Sequence, residues 1–533
     1  MFIVISYHSV GKRGSEVLTE GGCENVCERC RACNWNCRAN GVDTKTVCGW
    51  VSEALHILRY HSKYIKITDY FQVQKIPDVD LSDETVEDRY NSYIIACNSM
   101  REKSERNDFF ASFAIRSIID ARKEITGDKS GRTPARRTAY VIDQLKRPEE
   151  VESLRAVYGQ QFILISCHMP AAIRKYTLAR KIAEQHSSAP KAAEWQEAAA
   201  KLISRDEMEA GIRFGQRVSD VFPKADVIID AHQEHHAERT LRRFFQALFG
   251  NFHVSPTRGE FLQNIAFNVS LTSCDTARQV GAVISRDGEI LATGFNEAPK
   301  AYGGTYWPDE GEDARDVTIG RDVNTVRKRQ MVADIVRRLR DNQFLRNSEI
   351  PDYEIESRFI DADNAPLKKS QIMDTLEYGR AVHAEMAALS TAARNGISIS
   401  AAQLFCTTFP CHNCAKHIVA SGVHTVYYLE PYSKSFTDEL YPDSISIDEP
   451  ELRCDAVNFR QFVGITPSRF RELFAKSKLK NDRGKVREWN PEESQPLLGR
   501  FEQAHPEKEV MFQEGMRDNL SPDLARYFGF DAD

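Results

Sequence analysis

Four residues in the second half of the chain restrict its fold more than any other feature. His383 stands two positions before Glu385 in "HAE", and "PCHNC" places Cys411 and Cys414 three positions apart. Cysteines so spaced on the first turn of a helix point the same way. The start of that helix carries partial positive charge, which favours thiolates. One imidazole and two thiolates occupy three corners of a zinc tetrahedron and leave the fourth for water, the arrangement of a catalytic zinc. Zinc brings the pKa of water down toward neutrality. Glu385 is too close to His383 to be a further ligand on the same side, and it suits a proton shuttle. An isolated C-x-x-C fits a structural zinc clip or two buried cysteines equally well. The HAE, the proline ahead of Cys411 and the helix–strand–helix context set this one apart.

Hydrophobic periodicity supplies the framework around it. "RTAYVIDQL", "QFILISCH" and "ADVIIDA" are short apolar runs of the kind expected for buried parallel strands. They alternate with helical segments such as "TVCGWVSEALHILRYH" and "NDFFASFAIRSIIDARKEI", and "KYIKITDYF" reads as a further strand and its exit. Alternation of this sort indicates an α/β domain. Ser255 and Pro256 read as an N-cap and first helical residue, opening the helix "TRGEFLQNIAFNVSLTS". "QVGAVIS" and "EILATGFN" form a hairpin around "RDG". A polar, charge-rich insert follows over 299–380, then helix "VHAEMAALSTAARNG", strand "QLFCTTF", helix "CHNCAKHIVASG" and strand "HTVYYLEP". Gly396 and Gly422 stand where helix C-caps belong.

H-x-E with P-C-x-x-C is the signature of zinc nucleobase deaminases. "SLTSCDTARQVGAVISRDGEILATGFNEAP" resembles the substrate-side hairpin of the deoxycytidylate deaminase family. That resemblance implies that Asn296 contacts the sugar or base and that Arg278 meets phosphate. "YLEPYSKS" resembles the family too, with Tyr432 as a wall of the base pocket. Read without the resemblance, these are equally a turn-capping asparagine, a solvated arginine and a core aromatic.

From about Gly41 onward, phrases such as "AYVIDQLKRPEEVESLRAVYG", "RFFQALFG" and "SCDTARQVGAVI" resemble the bacterial antiviral dCTP deaminases. The expected fold is then α/β throughout: a P-loop nucleotide-kinase-like parallel-sheet domain over 41–250, then a cytidine deaminase-like α/β/α zinc domain over 251–450. Residues 451–533 read as a C-terminal extension of the deaminase domain. The resemblance implies one catalytic zinc per chain and conversion of dCTP and dCMP to uracil nucleotides during phage infection. It also implies a homo-oligomer and inhibition by a small RNA.

The kinase-like half lacks a regular P-loop. Thr44, Lys45 and Thr46 are in register for its K-[ST] end and open a helix, but the glycines and the apolar strand before them are missing. Read without the motif, these three are an ordinary helix start capped by Asp43 or Thr44. Ahead of them, "CENVCERCRACNWNC" carries Cys23, Cys27, Cys30, Cys33 and Cys37, at intervals that match no regular zinc-site spacing. With one codon choice, residues 34–39 shifted by one nucleotide read Ile-Gly-Ile-Val-Gly-Pro, an apolar strand running into a glycine loop. The expectation is that residues 1–40 are an anomalous segment, read out of frame or else a metal knuckle. Even repaired, the motif is degenerate, and the half is expected to sense a nucleotide or hold a regulatory phosphate rather than act as a kinase.

Composition narrows the rest. A net charge of −6 gives no bulk drive toward nucleic acid or membrane. No run of about 18 apolar residues spans a bilayer. Six of the 13 cysteines fall in the first 48 residues, which is no disulfide framework and points to a reducing cytoplasm. Two rival functions remain at this level: an editor of cytosine or adenine in nucleic acid, and a nucleotide- or RNA-sensing regulator whose deaminase module is secondary. "RKRQMVADIVRRLR" is the nearest basic stretch and reads rather as a solvated helix face.

Overall fold

The runs expected as buried parallel strands stand side by side in one sheet. β1 (Phe2–His8), β2 (His61–Lys66), β3 (Thr138–Asp143), β4 (Phe162–His168) and β5 (Val227–Asp230) are parallel, in the order β2-β3-β1-β4-β5. The computed structural model describes residues 1–8, 44–69, 80–186, 191–207, 209, 212–345, 349–362, 365–368, 370–432, 435–497, 505–527 and 530. Helices Thr44–Ile57 and Glu234–Leu248 cover one face, where Val51, Leu55, Leu241 and Phe245 pack on Ile3, Ile5, Ile163 and Ile165. Phe109–Thr126 and Pro148–Tyr158 are further helices of this unit, and Tyr158 stacks on Phe2 with ring centroids 3.6 Å apart.

β1 corrects the expectation that the first strand is missing. Ile3, Val4 and Ile5 are fully buried between β3 and β4, the most enclosed position in the sheet. The run "FIVIS" carries only its apolar character, and no helix signal follows it closely enough to place it in the α/β alternation. The out-of-frame reading of residues 34–39 and the five cysteines from Cys23 to Cys37 lie outside the described residues. The central strand that the frame shift was meant to supply is already provided by β1.

The tail is a second correction. The chain divides into two units: Met1–Glu260 with Asp448–Leu452 and Gln461–Asp533, and Phe261–Ile447 with Arg453–Arg460. Most of 451–533 therefore belongs with the first sheet. A two-residue strand, Gly464–Ile465, pairs antiparallel with β5. The Arg469 guanidinium donates to Asp226 at 3.0 Å and to the Phe162 carbonyl at 2.6 Å. On helix His505–Asp518, Glu509 pairs with buried Arg122 at 2.6 Å. The polar composition of the tail hid these few anchoring residues.

The second unit holds a mixed sheet in the order β10-β11-β9-β8-β6-β7. Its strands are β6 (Gly281–Arg286), β7 (Glu289–Phe295), β8 (Gln403–Thr408), β9 (Thr425–Glu430), β10 (Ile445–Ile447) and β11 (Val457–Gln461). β6 and β7 form the expected hairpin, and its two-residue turn puts Asp287 and Gly288 at φ 55° and 91°, as a primed turn requires. A Cβ on Gly281 would land on the Ala266 carbonyl oxygen of helix Arg258–Ser270, and one on Gly294 on that of Ala384 in helix Ala384–Arg394. Gly294 pairs with Ala282, the neighbour of Gly281, so the two glycines face opposite sides and the helices sandwich the hairpin. The first of these helices starts later than expected. Thr257, not Ser255, makes the capping box, accepting from the Glu260 N–H while its own N–H donates to the Glu260 carboxylate.

The insert folds around its own core of Val332, Val336, Ile350, Ile355 and Ile360. The arginines of its helix Val323–Asp341 are engaged locally: Arg329 with Glu356 and Asp361, Arg337 and Arg340 with Asp352. Among the described residues no helix is long and apolar enough to cross a membrane.

Candidate metal centre and active site

Two helix starts meet at the centre of the second unit. His383 is the N-cap of Ala384–Arg394, and Cys411 is the N-cap of His412–Ala420, with Cys414 in its first turn. The His383 Nδ1 lies 3.3 Å from the Cys411 Sγ and 3.4 Å from the Cys414 Sγ. The three ligand atoms lie within 4.8 Å of one another. Arms of roughly 2.0–2.3 Å at tetrahedral angles require nitrogen–sulfur edges of roughly 3.5 Å, so these donors fit zinc in both chemistry and spacing. Cys411 and Cys414 are buried, and His383 is partly buried.

Each group reads the charge of the others. The Cys411 thiol is pulled down to about 4, first by the hydrogen bond from Cys414 and then by the His383 imidazole. His383 is raised to about 9, chiefly by its bond to Cys411. Glu385, 4% exposed, has its carboxyl pKa raised by burial first and by the Cys411 thiolate second. Its Oε2 lies 3.5 Å from the Cys414 Sγ. A buried carboxylate at the edge of the donor set, with an elevated pKa, can both take and return a proton.

Arg278 and Tyr432 also come together here. The Arg278 guanidinium lies over the Tyr432 ring, 5.3 Å from its centroid. Tyr432 is partly buried, which raises its hydroxyl pKa, and the Cys411 thiolate adds to that rise. Asn296 is bonded to the main chain on both sides of the loop. Its Oδ1 accepts from the Val280 N–H at 2.7 Å and its Nδ2 donates to the Arg278 carbonyl at 2.8 Å. It therefore fixes the backbone that carries Arg278. Thr44, Lys45 and Thr46 open the helix Thr44–Ile57 of the other unit.

Two residues that sequence reasoning missed hold the same loop. The Ser273 hydroxyl donates to the Asn296 carbonyl at 2.7 Å, and the Glu297 carboxylate accepts from the Cys274 N–H at 3.0 Å. Both sit inside the stretch that carries the resemblance, but single side chains that bond to backbone leave no spacing signal.

Residues 257–430 match the model of the cytidine and deoxycytidylate deaminase zinc-binding region. The deoxycytidylate deaminase of Enterobacteria phage T2 is 30% identical over 171 residues, which is 32% of this chain and 79% of the phage protein. This chain belongs to the deoxycytidylate deaminase family. The Enterobacteria phage T4 deoxycytidylate deaminase matches at the same identity, with 77% of its length covered. A solved structure of the cyanophage S-TIM5 dCMP deaminase with dCMP and dUMP is 21% identical, covering 39% of this chain and 100% of that one, at a TM-score of 0.22. Members of the deoxycytidylate deaminase family are zinc-dependent hydrolases, and His383, Cys411 and Cys414 are the residues of this chain that would hold the zinc.

Proposed function

We propose that the protein hydrolyses the exocyclic amine of deoxycytidine nucleotides, converting dCMP and dCTP with water to the uracil nucleotides and ammonia. The observation that carries this is the buried Glu385 carboxylate at 3.5 Å from a metal-ligating sulfur. Zinc in this site supplies Lewis acidity toward water. Glu385 accepts the first water proton and delivers it to the ring N3, then takes the remaining proton of the hydroxyl added at C4 and passes it to the departing N4 amine as the C4 carbonyl forms. Tyr432 walls the base, and Arg278, held over it, meets the phosphate. Asn296 positions that arginine and reaches the sugar only through its remaining lone pair and N–H.

The choice of dCMP is supported by the phage relatives, which are named deoxycytidylate deaminases. dCTP as substrate, its depletion as a defence against phage, a homo-oligomer and an inhibitory small RNA come from the resemblance described above, and a cytoplasmic location from the cysteine usage. Incubating the purified protein with dCMP, dCTP, CMP and deoxycytidine, with products separated by chromatography, tests the reading. Turnover of dCMP or dCTP that disappears in Glu385→Ala supports it, and no turnover of any deoxycytidine nucleotide removes it.

For the first unit we propose a nucleotide-sensing role on a P-loop kinase-like fold. The strand order β2-β3-β1-β4-β5, with helix Thr44–Ile57 next after β1 among the described residues, supports that assignment. Thr44, Lys45 and Thr46 are its phosphate-binding candidates.

A further inference from the structure

Glu297, the residue after Asn296, is 3% exposed, and each of its polar atoms is bonded. Its main chain forms an antiparallel bridge with Val382. The Glu297 N–H donates to the Val382 carbonyl at 3.3 Å, and the Val382 N–H donates to the Glu297 carbonyl at 2.9 Å. Its carboxylate accepts from the Cys274 N–H at 3.0 Å and from the Ala298 N–H at 2.9 Å. Val382 immediately precedes His383, the imidazole of the donor set. Cys274 opens the loop that carries Arg278. One residue is therefore bonded both to the segment that ends in a zinc ligand and to the loop expected at the phosphate.

Both attachments are backed by their surroundings. The loop is tied at its far end by Asn296, which bonds to Val280 and to the Arg278 carbonyl, and at its near end by the Ser273 hydroxyl on the Asn296 carbonyl. The Arg315 guanidinium, paired with Asp313, donates to the Cys274 sulfur at 3.4 Å. On the metal side, a Cβ on Gly294 would lie 2.3 Å from the Ala384 carbonyl oxygen. The strand leading into Glu297 thus rests directly on the helix that His383 caps. A carboxylate suits position 297 because it turns two acceptors and no donor toward two N–H groups. A shift of His383 must carry Val382 and Glu297 with it, and through them Cys274 and the loop.

We infer that Glu297 is a positioning residue that couples the metal centre to the phosphate of the nucleotide. The inference rests on the reading of Arg278 as the phosphate contact. Zinc on His383 fixes the bridge at Val382, and the bridge fixes the loop. A phosphate on Arg278 holds the loop, and the loop holds His383 in its place in the donor set. Coupling of this kind is reciprocal: zinc tightens the phosphate by the same factor by which the phosphate tightens zinc. A nucleotide is then preferred over its nucleoside for more than the attraction of Arg278, because its phosphate also steadies the metal ligand.

The probe is 1,2-dideoxyribose 5-phosphate, which has the sugar and phosphate of the substrate and no base to reach the metal. Calorimetric titration of the full chain is expected to show binding about tenfold tighter with zinc than without it. Competition with a chelator is expected to show zinc held tighter by the same factor when the probe saturates the protein. In Glu297→Gln the amide offers one acceptor to two N–H groups, and the ratio is expected to fall to about one. Ser273→Ala frees the loop from the Asn296 carbonyl but leaves Glu297 joined to Val382 and Cys274, so the ratio is kept. Circular dichroism and zinc content establish that the variants are folded. Hydrogen exchange of the wild-type chain needs no variant: zinc is expected to slow exchange over 274–280 as well as over 382–387. A ratio near one in the wild type, a ratio that survives Glu297→Gln, or protection confined to 382–387 overturns the inference. If the probe does not bind, or binds equally well to Arg278→Gln, the phosphate reading of Arg278 fails and the coupling falls with it. If Arg278→Gln weakens the probe about tenfold while zinc has no effect on it, that reading stands and the coupling alone is refuted.

Discussion

The Asn296 Nδ2 donates to the Arg278 carbonyl at 2.8 Å, so the asparagine of the G-x-N motif holds the main chain of the arginine expected at the phosphate. With Oδ1 on the Val280 N–H, one amide bridges both sides of the loop. Displacements of about 1 Å at a reacting site can cost roughly 10²-fold in rate. Asn296→Ala is therefore expected to lower kcat/KM for dCMP by about that factor. Arg278→Ala is expected to act on KM, by roughly tenfold, and to matter far less for deoxycytidine, which has no phosphate. Steady-state kinetics on both substrates checks the pair.

Glu385→Gln keeps the shape of the side chain and removes its basicity. The expected loss in kcat is roughly 10²–10⁴-fold, with zinc content unchanged by elemental analysis. A variant that lost its zinc as well would show that Glu385 acts by holding the donor set together.

The donor set can be taken apart directly. Cys411→Ser or Cys414→Ser is expected to abolish turnover and to leave well under one zinc per chain. Chelator treatment of the wild-type chain should do the same and lower the melting temperature of the deaminase unit, because the metal joins the starts of two helices.

Glu260 gives a test in the first unit. It is 1% exposed and accepts from Arg243, from the Thr257 N–H and from the Ile465 N–H. Burial alone would raise its pKa, but the Arg243 guanidinium and the two amides outweigh burial and hold it below the usual value. A depressed carboxyl pKa stabilises the fold fully above the unfolded value of about 4.3, and that stability is lost as pH falls through the folded value. Glu260→Gln is expected to cost about 3 kcal/mol near neutral pH. The gap between variant and wild type should narrow below about pH 4. Denaturant melts at several pH values measure it.

Gly294→Ala would put a methyl group onto the Ala384 carbonyl oxygen and the Ala388 nitrogen. The helix carrying His383 as its cap would have to move off the sheet. Loss of zinc affinity together with lowered thermal stability is the expected result, whereas Gly396→Ala, with open space around it, should leave zinc affinity unchanged.

The metal centre was legible because its chemistry dictates a spacing. An imidazole, a carboxylate two residues on and a C-x-x-C pair admit few arrangements, and His383, Glu385, Cys411 and Cys414 meet as that pattern requires. The buried strands were legible as apolar runs, and the β6–β7 turn as Asp287-Gly288. β1 was not, because "FIVIS" stands apart from the strand–helix alternation that identified the others. The place of the tail was not, because Ile465, Arg469 and Glu509 are isolated anchors in a polar segment. Asn296 was singled out, but its bonds to the backbone of residues 278 and 280 depend on a loop closure that no linear spacing records.

The strand Gly464–Ile465 has a bearing on how the chain is made. The β5 edge of the first sheet is covered by residues synthesised only after the whole deaminase unit. Until then that edge is an open row of backbone donors and acceptors, the kind that invites pairing with another chain. A nascent or truncated polypeptide ending before residue 464 would carry a complete zinc site and an exposed sheet margin at once. Quality control of this protein would then turn on its last seventh, while its chemistry is already finished.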